Sequence, residues 1–400
     1  MLDSTHARPT DNALSDVWFD ETDIDVGALR KLIEQETHRD AVPAASDIVK
    51  NIPVYAASTV DAAFADPQAH RQLAAEWHRV LAHGAGVLVV RNAWNGELTR
   101  RVSDLFRIML DEEAATGKAS GDHFAKAGAN ARVWNAHEKL ALQDADAFVE
   151  YNANRTLALA SSCWLGPLYR VTAQLNLVRP GGTAQDPHRD YHMGFQPREV
   201  LLEYPVQSHR LSASLTLQGA VAHADIPIAS GSTRLLPFSQ TWPPGYLCKG
   251  HEEVDAVFAE NHVQVDLRMG DAVFFNPALL HAAGDNTTKY VERLANLLQI
   301  NSSWGRCMEV VDGVRIACQV FPALRAAIAD GRLDSAAVER VIAASVDGYA
   351  FPANLELEPP RGHLPPASQQ DVLRQALAEQ WSQTQLETAL TDQQALKRSH

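Results

Sequence analysis

Residues 262–301 read HVQVDLRMGDAVFFNPALLHAAGDNTTKYVERLANLLQIN, and their pattern decides the fold. Three short segments of β-type composition, His262–Leu267, Asp271–Asn276 and Arg293–Asn301, are separated by a turn at Gly270 and by a polar stretch. Apolar runs of this length that are bounded by turn residues are typical of buried strands. Many short strands with even punctuation predict a double-sheet β-barrel or jelly roll.

The same character extends upstream to about residue 165. Further strands are predicted at Arg170–Val178, Arg210–Gly219 and Ser232–Pro237, with turn residues between them. Residues 165–305 are therefore interpreted as a mainly β core.

Helical patterning flanks this core on both sides. Apolar residues recur at helical spacing in residues 59–83, 95–113, 320–348 and 368–396. Val87–Arg91 is interpreted as a short buried strand, and residues 1–20 as a loose tail. We predict a single domain over residues 1–400, with an N-terminal extension (1–58), a helical and strand support (59–164), the β core (165–305) and a C-terminal helical extension (306–400).

The composition narrows the class of function. The chain has 400 residues, a formal net charge of −14, 46% hydrophobic and 21% charged residues, as in ordinary globular proteins. The negative charge argues against a nucleic-acid partner, because neutralising phosphates needs a basic face. No apolar run reaches the roughly 18–20 residues of a membrane helix, and the start lacks the pattern of a signal peptide. Four scattered cysteines without a C-x-x-C pair fit a reducing compartment, so we expect a cytoplasmic protein.

Metal chemistry is suggested by the motif H-x-D. It occurs three times, at His38/Asp40, His223/Asp225 and His188/Asp190. The first pair lies in a charged helical stretch, where positions i and i+2 point about 200° apart. The second lies in an irregular stretch, where a surface or supporting role is favoured. The third follows a strand and a Gly-Gly turn, and in extended backbone i and i+2 project from one face, so both side chains can reach one ion.

Two downstream residues complete a candidate site. Two imidazoles and one carboxylate can occupy one face of octahedral Fe(II) and leave the other face for a co-substrate and O2. His281, at the end of an apolar strand, is the candidate third ligand beside His188 and Asp190, with a buried core histidine as the alternative. Arg293 opens the next apolar strand, and an arginine that enters a core needs an anionic partner. The carboxylate of a 2-oxo acid would supply one through a two-pronged contact, and a protein acid is the alternative.

Four blocks together resemble the phytanoyl-CoA dioxygenase family of Fe(II)/2-oxoglutarate oxygenases, over about residues 80–305. They are GVLVVRN at 86–92, QDPHRDYH at 185–192, SGSTRLLPFSQ at 230–240, and GDAVFF at 270–275 with its following His281, GDN and Arg293. The order of the blocks also selects His188/Asp190, since the family places a full strand, here Arg210–Gly219, before the third block. The chain departs from the family at Gln240, where a histidine is usual, and at Ala283, where a small hydroxyl residue is frequent.

The resemblance implies a double-stranded β-helix, a cupin-like jelly roll, with the iron near the mouth of the barrel. It implies that the triad holds Fe(II) and 2-oxoglutarate, that Arg293 pairs with the far carboxylate, and that the inward amides Gln174 and Asn176 position this co-substrate. A small-molecule substrate is then hydroxylated with O2, and succinate and CO2 are released. The intact Asp190 carboxylate favours hydroxylation over halogenation, because related halogenases lack it.

The substrate is not specified by the sequence. The side chains considered for substrate contact are Arg132, Trp134, Asn135, Tyr191, Trp304 and Arg306. The helical ends offer either a lid or the interface of a homodimer. Two other functions stay open: a cupin-like metal enzyme that uses no 2-oxoglutarate, and a non-catalytic β-sandwich binding module.

Overall fold

The computed structural model describes residues 17–115, 130–359, 362 and 365–399, so most of the predicted N-terminal tail lies outside the described residues. The helices of these parts are α1 (Val26–Ile33), α2 (Ala57–Ala65), α3 (Pro67–Ala82), α4 (Gly96–Ala115), α5 (Ala136–Gln143), α6 (Ala145–Asn152), α7 (Arg155–Leu165), α8 (Arg198–Leu201), α9 (Val206–Ser214), α10 (Glu252–Asn261), α11 (Gly313–Ala329), α12 (Ser335–Ser345), α13 (Gln369–Ala378) and α14 (Gln383–Leu396). The strands are β1 (Asp47–Val49), β2 (Ile52–Ala56), β3 (Val87–Arg91), β4 (Asn130–Val133), β5 (Arg170–Val178), β6 (Thr216–Ala222), β7 (Arg234–Leu235), β8 (Ala272–Phe275), β9 (His281–Ala282) and β10 (Arg293–Asn301).

The larger sheet has the strand order β1-β2-β3-β8-β6-β10-β5-β4. Neighbouring strands are antiparallel except β2 and β3, which are parallel. Its longest pair is β5–β10, which stays in register from Arg293↔Val178 to Asn301↔Arg170. The bounds of both strands agree with the sequence prediction. Strands β1 and β2 add the region predicted as an N-terminal extension to the edge of this sheet.

A smaller sheet faces the larger one. Its strands β7 and β9 pair antiparallel, and single bridges extend it on both sides, from His281 to His188 and from Leu235 to Val263. Apolar residues of both sheets, among them Val89, Ala220 and Leu235, form a common core between them. Two facing sheets joined in this way form a double-stranded β-helix, so the predicted fold class is confirmed.

Alternation along the strands explains why both faces of the larger sheet are apolar. On β3, Val87 and Val89 face the space between the sheets, whereas Leu88 and Val90 belong to the outer core that the flanking helices cover. A strand that is covered on both faces has a nearly continuous run of apolar residues in its sequence. The flanking helices therefore hold the sheet rigid from outside, and its inner face is left for the site.

The predicted strand Arg210–Gly219 is wrong in its first half. Residues Val206–Ser214 form α9, and the strand β6 begins only at Thr216. The alternating Leu and Ser residues had indicated a strand, but Leu211 is 55% exposed, so the alternation does not report burial. Pro205 is the N-cap of this helix, with extended backbone (φ −67°, ψ 150°), and the helix begins at the next residue.

Two other segments differ from the prediction. The helix expected over residues 59–83 is divided at Pro67, where the Asp66 side chain accepts a hydrogen bond from the Gln68 N–H and caps a new helix. Residues 262–267 form bridges at Val263 and Leu267 to two different segments, so no continuous strand develops there.

Two further observations bear on the predicted environment. No helix in the described residues combines the length and the apolar character that crossing a membrane requires. The four cysteines, Cys163, Cys248, Cys307 and Cys318, are free thiols.

Candidate metal centre

The three candidate ligands are brought together by the smaller sheet. The backbones of His188 and His281 exchange two hydrogen bonds, of 3.0 and 3.1 Å, and the Asp190 N–H donates to the carbonyl of Pro277 at 3.1 Å. Because residues 188 and 190 lie two apart in extended backbone, both side chains project to the face that His281 also occupies.

The ligand atoms of His188, Asp190 and His281 converge, all lying within 4.8 Å of one another. His188 Nε2 is 3.7 Å from Asp190 Oδ1, and His281 Nε2 is 3.4 Å from Asp190 Oδ2. The two imidazole rings are 4.6 Å apart. Two nitrogens and one carboxylate in this arrangement match the facial set that binds Fe(II) in non-heme oxygenases.

Hydrogen bonds fix the tautomer of both histidines. Nδ1 of His188 lies 2.8 Å from the carbonyl of Asp186, and Nδ1 of His281 lies 2.9 Å from the carbonyl of Leu279. A carbonyl can only accept, so each Nδ1 carries the proton and each Nε2 presents a lone pair. Burial also lowers the pKa of His188, which favours the neutral form that binds metals. The donor set therefore fits a divalent cation.

Gln218, which the sequence analysis did not single out, orients the carboxylate ligand. Its Nε2 donates to Asp190 Oδ2 at 2.6 Å from the inner face of β6. Burial alone would raise the pKa of Asp190, but the neighbouring imidazoles of His281 and His188 and the hydrogen bond from Gln218 bring it below its ordinary value. Asp190 is thus ionised and held in place. Only the strand alternation around Gln218 could have indicated this residue, because its partner is 28 positions away.

The Gln218→Leu substitution is expected to weaken Fe(II) binding by about 10–100-fold, the usual effect of losing a hydrogen bond that orients a ligand. Anaerobic calorimetric titration with Fe(II) measures it. Gln299→Leu is the matched control. Gln299 lies on β10 and pairs with Gln218 of β6, but its side chain contacts Gln174 rather than Asp190. Equal affinities for the two variants would contradict the role of Gln218.

Arg293 lines a cavity between the two sheets. It is 8% exposed. Its guanidinium donates to Asn176 Oδ1 at 3.0 Å and to the carbonyl of Gly231. The cavity wall includes Arg293 with Ser232, Thr233, Ala220 and Leu297. Ala220 is two residues beyond Gln218 on the same face of β6, so the cavity lies on the sheet face from which Gln218 contacts Asp190.

The two predicted amides have different neighbours. Asn176 orients Arg293, as described above. Gln174 instead accepts from Arg132 Nη1 at 2.7 Å and donates to Gln299 at 3.2 Å. Arg132 also lies over the Trp134 ring, 5.3 Å from its centroid. Gln174 therefore belongs with Arg132 on the inner face of β4 and β5 rather than with Arg293.

The remaining residues considered for substrate contact are divided between the site and the surface. Tyr191 is buried directly after Asp190, and the Asn135 N–H donates to the carboxylate of Glu309 at 2.6 Å. Trp304 is 68% exposed and its ring faces Tyr349. Arg306 is exposed, and its backbone carbonyl accepts a hydrogen bond from His192. Tyr191 thus lies buried beside a candidate ligand and Asn135 is held by Glu309, whereas the side chains of Trp304 and Arg306 are exposed.

The other H-x-D pairs have different roles. His223 is buried between Ser103 Oγ and Tyr151 Oη, each 2.9 Å from one ring nitrogen, and burial lowers its pKa to about 3. Asp225 accepts a hydrogen bond from the Met269 N–H. His38 precedes a short exposed 3-10 turn that contains Asp40. Within the described residues, neither pair forms part of a candidate metal cluster.

Glu309 is a second residue that the sequence analysis missed, and it carries a pH prediction. Burial raises its pKa to about 7 from an ordinary 4.5, against the Asn135 hydrogen bond and the charges of Arg132 and Lys139. Tyr191 is also within electrostatic reach. Because the pKa of Glu309 is higher in the folded than in the unfolded protein, folding is accompanied by proton uptake between pH 4.5 and about 7. The contribution of Glu309 to the free energy of unfolding therefore falls as the pH rises through this window. Glu309→Gln is expected to flatten the unfolding free energy over this range in denaturant titrations; an unchanged slope would contradict the shift.

A double-stranded β-helix with two histidines and one aspartate converging on its smaller sheet defines a cupin-like metalloprotein. Within that class, the chain belongs to the phytanoyl-CoA dioxygenase (PhyH) family, because its sequence matches the family over residues 54–294, more than half of its length. The match spans the three candidate ligands and Arg293. The resemblance inferred from the four sequence blocks is confirmed.

Comparison with individual proteins gives distant likenesses. No curated protein matches the chain in sequence. Among solved structures, the non-heme alpha ketoglutarate dependent epimerase SnoN from nogalamycin biosynthesis is 19% identical, over 60% of this chain and 82% of that one, with a TM-score of 0.42. EctD from S. alaskensis with bound Fe is 18% identical over 58% and 78% of the chains, with a TM-score of 0.42. AviO1 from Streptomyces viridochromogenes Tue57 is 18% identical over 59% and 97%, also with a TM-score of 0.42. These likenesses are too distant to transfer an activity.

Proposed function

We propose that the protein is an Fe(II)/2-oxoglutarate-dependent dioxygenase that hydroxylates a small-molecule substrate and releases succinate and CO2. The observation that carries the proposal is the convergence of the ligand atoms of His188, Asp190 and His281, together with the buried Arg293 on the wall of a cavity between the two sheets. Membership of the phytanoyl-CoA dioxygenase family supports it independently.

The candidate metal ligands and Arg293 each fit one end of 2-oxoglutarate. His188 Nε2, His281 Nε2 and the Asp190 carboxylate would hold Fe(II), which when bound activates O2 and chelates the 2-oxo acid end. The guanidinium of Arg293, oriented by Asn176, would pair with the distal carboxylate. The apolar residues that line the cavity beside Arg293, which include Ala220 and Leu297, would exclude water and strengthen that charge pair.

Hydroxylation is proposed over halogenation because Asp190 is present, ionised and anchored by Gln218. A carboxylate here fills the position that a halide would need. A cytoplasmic location remains a prediction, with which the four free thiols are compatible.

Co-substrate turnover tests the proposal. The protein, reconstituted with Fe(II) and ascorbate in air, is expected to convert 2-oxoglutarate to succinate, slowly alone and faster with a substrate. Succinate and CO2 in a 1:1 ratio by mass spectrometry and carbon-label release are the expected result. Absence of succinate from a metal-loaded protein across a substrate panel would contradict the proposal and favour a cupin-like enzyme without 2-oxoglutarate.

A further inference from the structure

Four buried polar atoms, on residues next to Asp190 or connected to Glu309, have no hydrogen-bond partner in the described part of the chain. They are Tyr191 Oη, His192 Nδ1, Asn135 Oδ1 and Glu309 Oε2. Buried polar atoms of native proteins are nearly always paired with protein or water. Other unpaired atoms are scattered over the described residues, whereas these four belong to residues that are connected to one another, so one bound group could complete them together.

Contacts between their residues place these atoms together. Asn135 and Glu309 are joined by the 2.6 Å hydrogen bond to Glu309 Oε1, which leaves Oε2 free. His192 Nε2 donates at 3.1 Å to the carbonyl of Arg306, three residues before Glu309. Tyr191 adjoins both His192 and the candidate metal ligand Asp190, and its phenol is within electrostatic reach of Asp190 and Glu309. The residues that carry the unpaired atoms thus connect the metal ligand Asp190 to the segment of Glu309.

Backbone strain marks the same segment. Tyr191 and His192 have positive φ angles of 62° and 45°, a backbone region that residues other than glycine rarely adopt. Tyr191 is also 1% exposed with its hydroxyl unpaired. Strain and unpaired burial both cost stability, and their combination is typical of functional sites.

The unpaired atoms are mostly hydrogen-bond acceptors. Asn135 Oδ1 can only accept, and so can Glu309 Oε2 when the carboxyl is ionised. His192 Nδ1 is an acceptor as well, because Nε2 carries the proton that the Arg306 carbonyl receives. The Tyr191 hydroxyl can donate or accept. A hydrocarbon would leave all four unpaired, whereas a group with several N–H or O–H donors would satisfy them.

We propose that Tyr191, His192, Asn135 and Glu309 form a substrate subsite that binds a group rich in hydrogen-bond donors, either a protonated amine or a polyhydroxylated unit. The proposal rests on the proposed function, since it places the oxidised group of the substrate beside the metal centre. It adds that specificity comes from the mouth of the barrel, where Glu309 distinguishes the two donor types by its charge.

The first test needs neither metal nor substrate. Tyr191→Phe removes an unpaired hydroxyl, so the unfolding midpoint is expected to stay within about 1 °C or to rise. Tyr151→Phe is the matched control, because that buried hydroxyl lies 2.9 Å from His223 Nε2 and accepts from Asn296 at 3.3 Å. Its loss is expected to lower the midpoint by at least about 3 °C. Equal destabilisation by both substitutions would mean that the Tyr191 hydroxyl is already paired, and would overturn the proposal.

The second test uses defined probes. Protein loaded with Fe(II) and 2-oxoglutarate under nitrogen is titrated calorimetrically with n-butylamine, erythritol and, as a reference without the donors, n-butyrate. At least one donor probe is expected to bind more tightly than butyrate, and Tyr191→Phe is expected to weaken it at least about tenfold. Glu309→Gln is expected to weaken the amine to a similar degree and to leave erythritol within about threefold, because glutamine keeps an acceptor and loses the charge.

The outcomes separate this proposal from the proposed function. Donor probes that bind no better than butyrate, or that bind Tyr191→Phe and Glu309→Gln as tightly as the wild type, would overturn the subsite. Both results leave 2-oxoglutarate turnover untouched. Loss of turnover in the wild type would instead remove the proposed function on which the subsite rests.

Discussion

Replacing His281 with alanine is expected to abolish Fe(II) binding and to lower succinate formation by at least about 1000-fold, since all chemistry at the site depends on the metal. His281 Nε2 is one of three converging ligand atoms, and its backbone hydrogen bonds to His188 remain in the variant. The fold is therefore retained while one ligand is lost. Asp190→Asn, which keeps the shape and removes the charge, is expected to have a similar effect on metal binding.

Iron content after anaerobic loading and gel filtration measures this effect. The matched controls are His38→Ala and Asp40→Ala, because this H-x-D pair lies outside the candidate metal cluster. They are expected to keep one iron per chain. Iron retained by His281→Ala at the wild-type level would show that the metal is held elsewhere.

The second large effect is expected at Arg293. Arg293→Ala should raise the KM for 2-oxoglutarate about 100-fold or more, because a charge-assisted two-pronged contact to the distal carboxylate is lost. The KM of Arg293→Lys for 2-oxoglutarate should lie between those of the wild type and Arg293→Ala, since lysine keeps the charge and loses the planar fork. Loss of the contacts to Asn176 and Gly231 adds to the effect by leaving their oxygens unpaired.

Steady-state kinetics at varied 2-oxoglutarate, with iron content checked in parallel, separates co-substrate binding from metal binding. The control is Arg107→Ala. Arg107 is exposed and forms an ion pair of 3.1 Å with Glu292, the residue that precedes Arg293. A surface pair of this kind contributes little, so kinetics should be unchanged. An unaltered KM in Arg293→Ala would remove Arg293 from the co-substrate site and favour a purely structural role.

The fold was predictable where strand burial and turn residues agree. Strands β5 and β10 are buried along nearly their whole length, and the bounds predicted from their β-type composition are correct. Residues 210–214 were mispredicted because Leu211 is an exposed apolar residue in a helix, and sequence alternation cannot distinguish this from a half-buried strand. The smaller sheet was harder, since much of it consists of single bridges such as Leu235↔Val263.

The candidate site was predictable where it follows local spacing. The i, i+2 geometry of His188 and Asp190 and the block order around His281 identify the proposed ligands from sequence. Gln218 and Glu309 carry no such spacing. Gln218 meets Asp190 from a different strand, and Glu309 meets Asn135 across 174 positions. Such contacts depend on tertiary packing, which a single sequence without the fold does not encode at any fixed interval.

The most direct test of the central claim is the visible absorption of the anaerobic complex. Addition of 2-oxoglutarate to protein loaded with Fe(II) is expected to produce the weak metal-to-ligand charge-transfer band of a chelated 2-oxo acid. The band should be absent in His281→Ala and should need more 2-oxoglutarate to appear in Arg293→Ala. No band in the wild type, or an equal band in His281→Ala, would contradict the assignment of His188, Asp190 and His281 as the iron ligands.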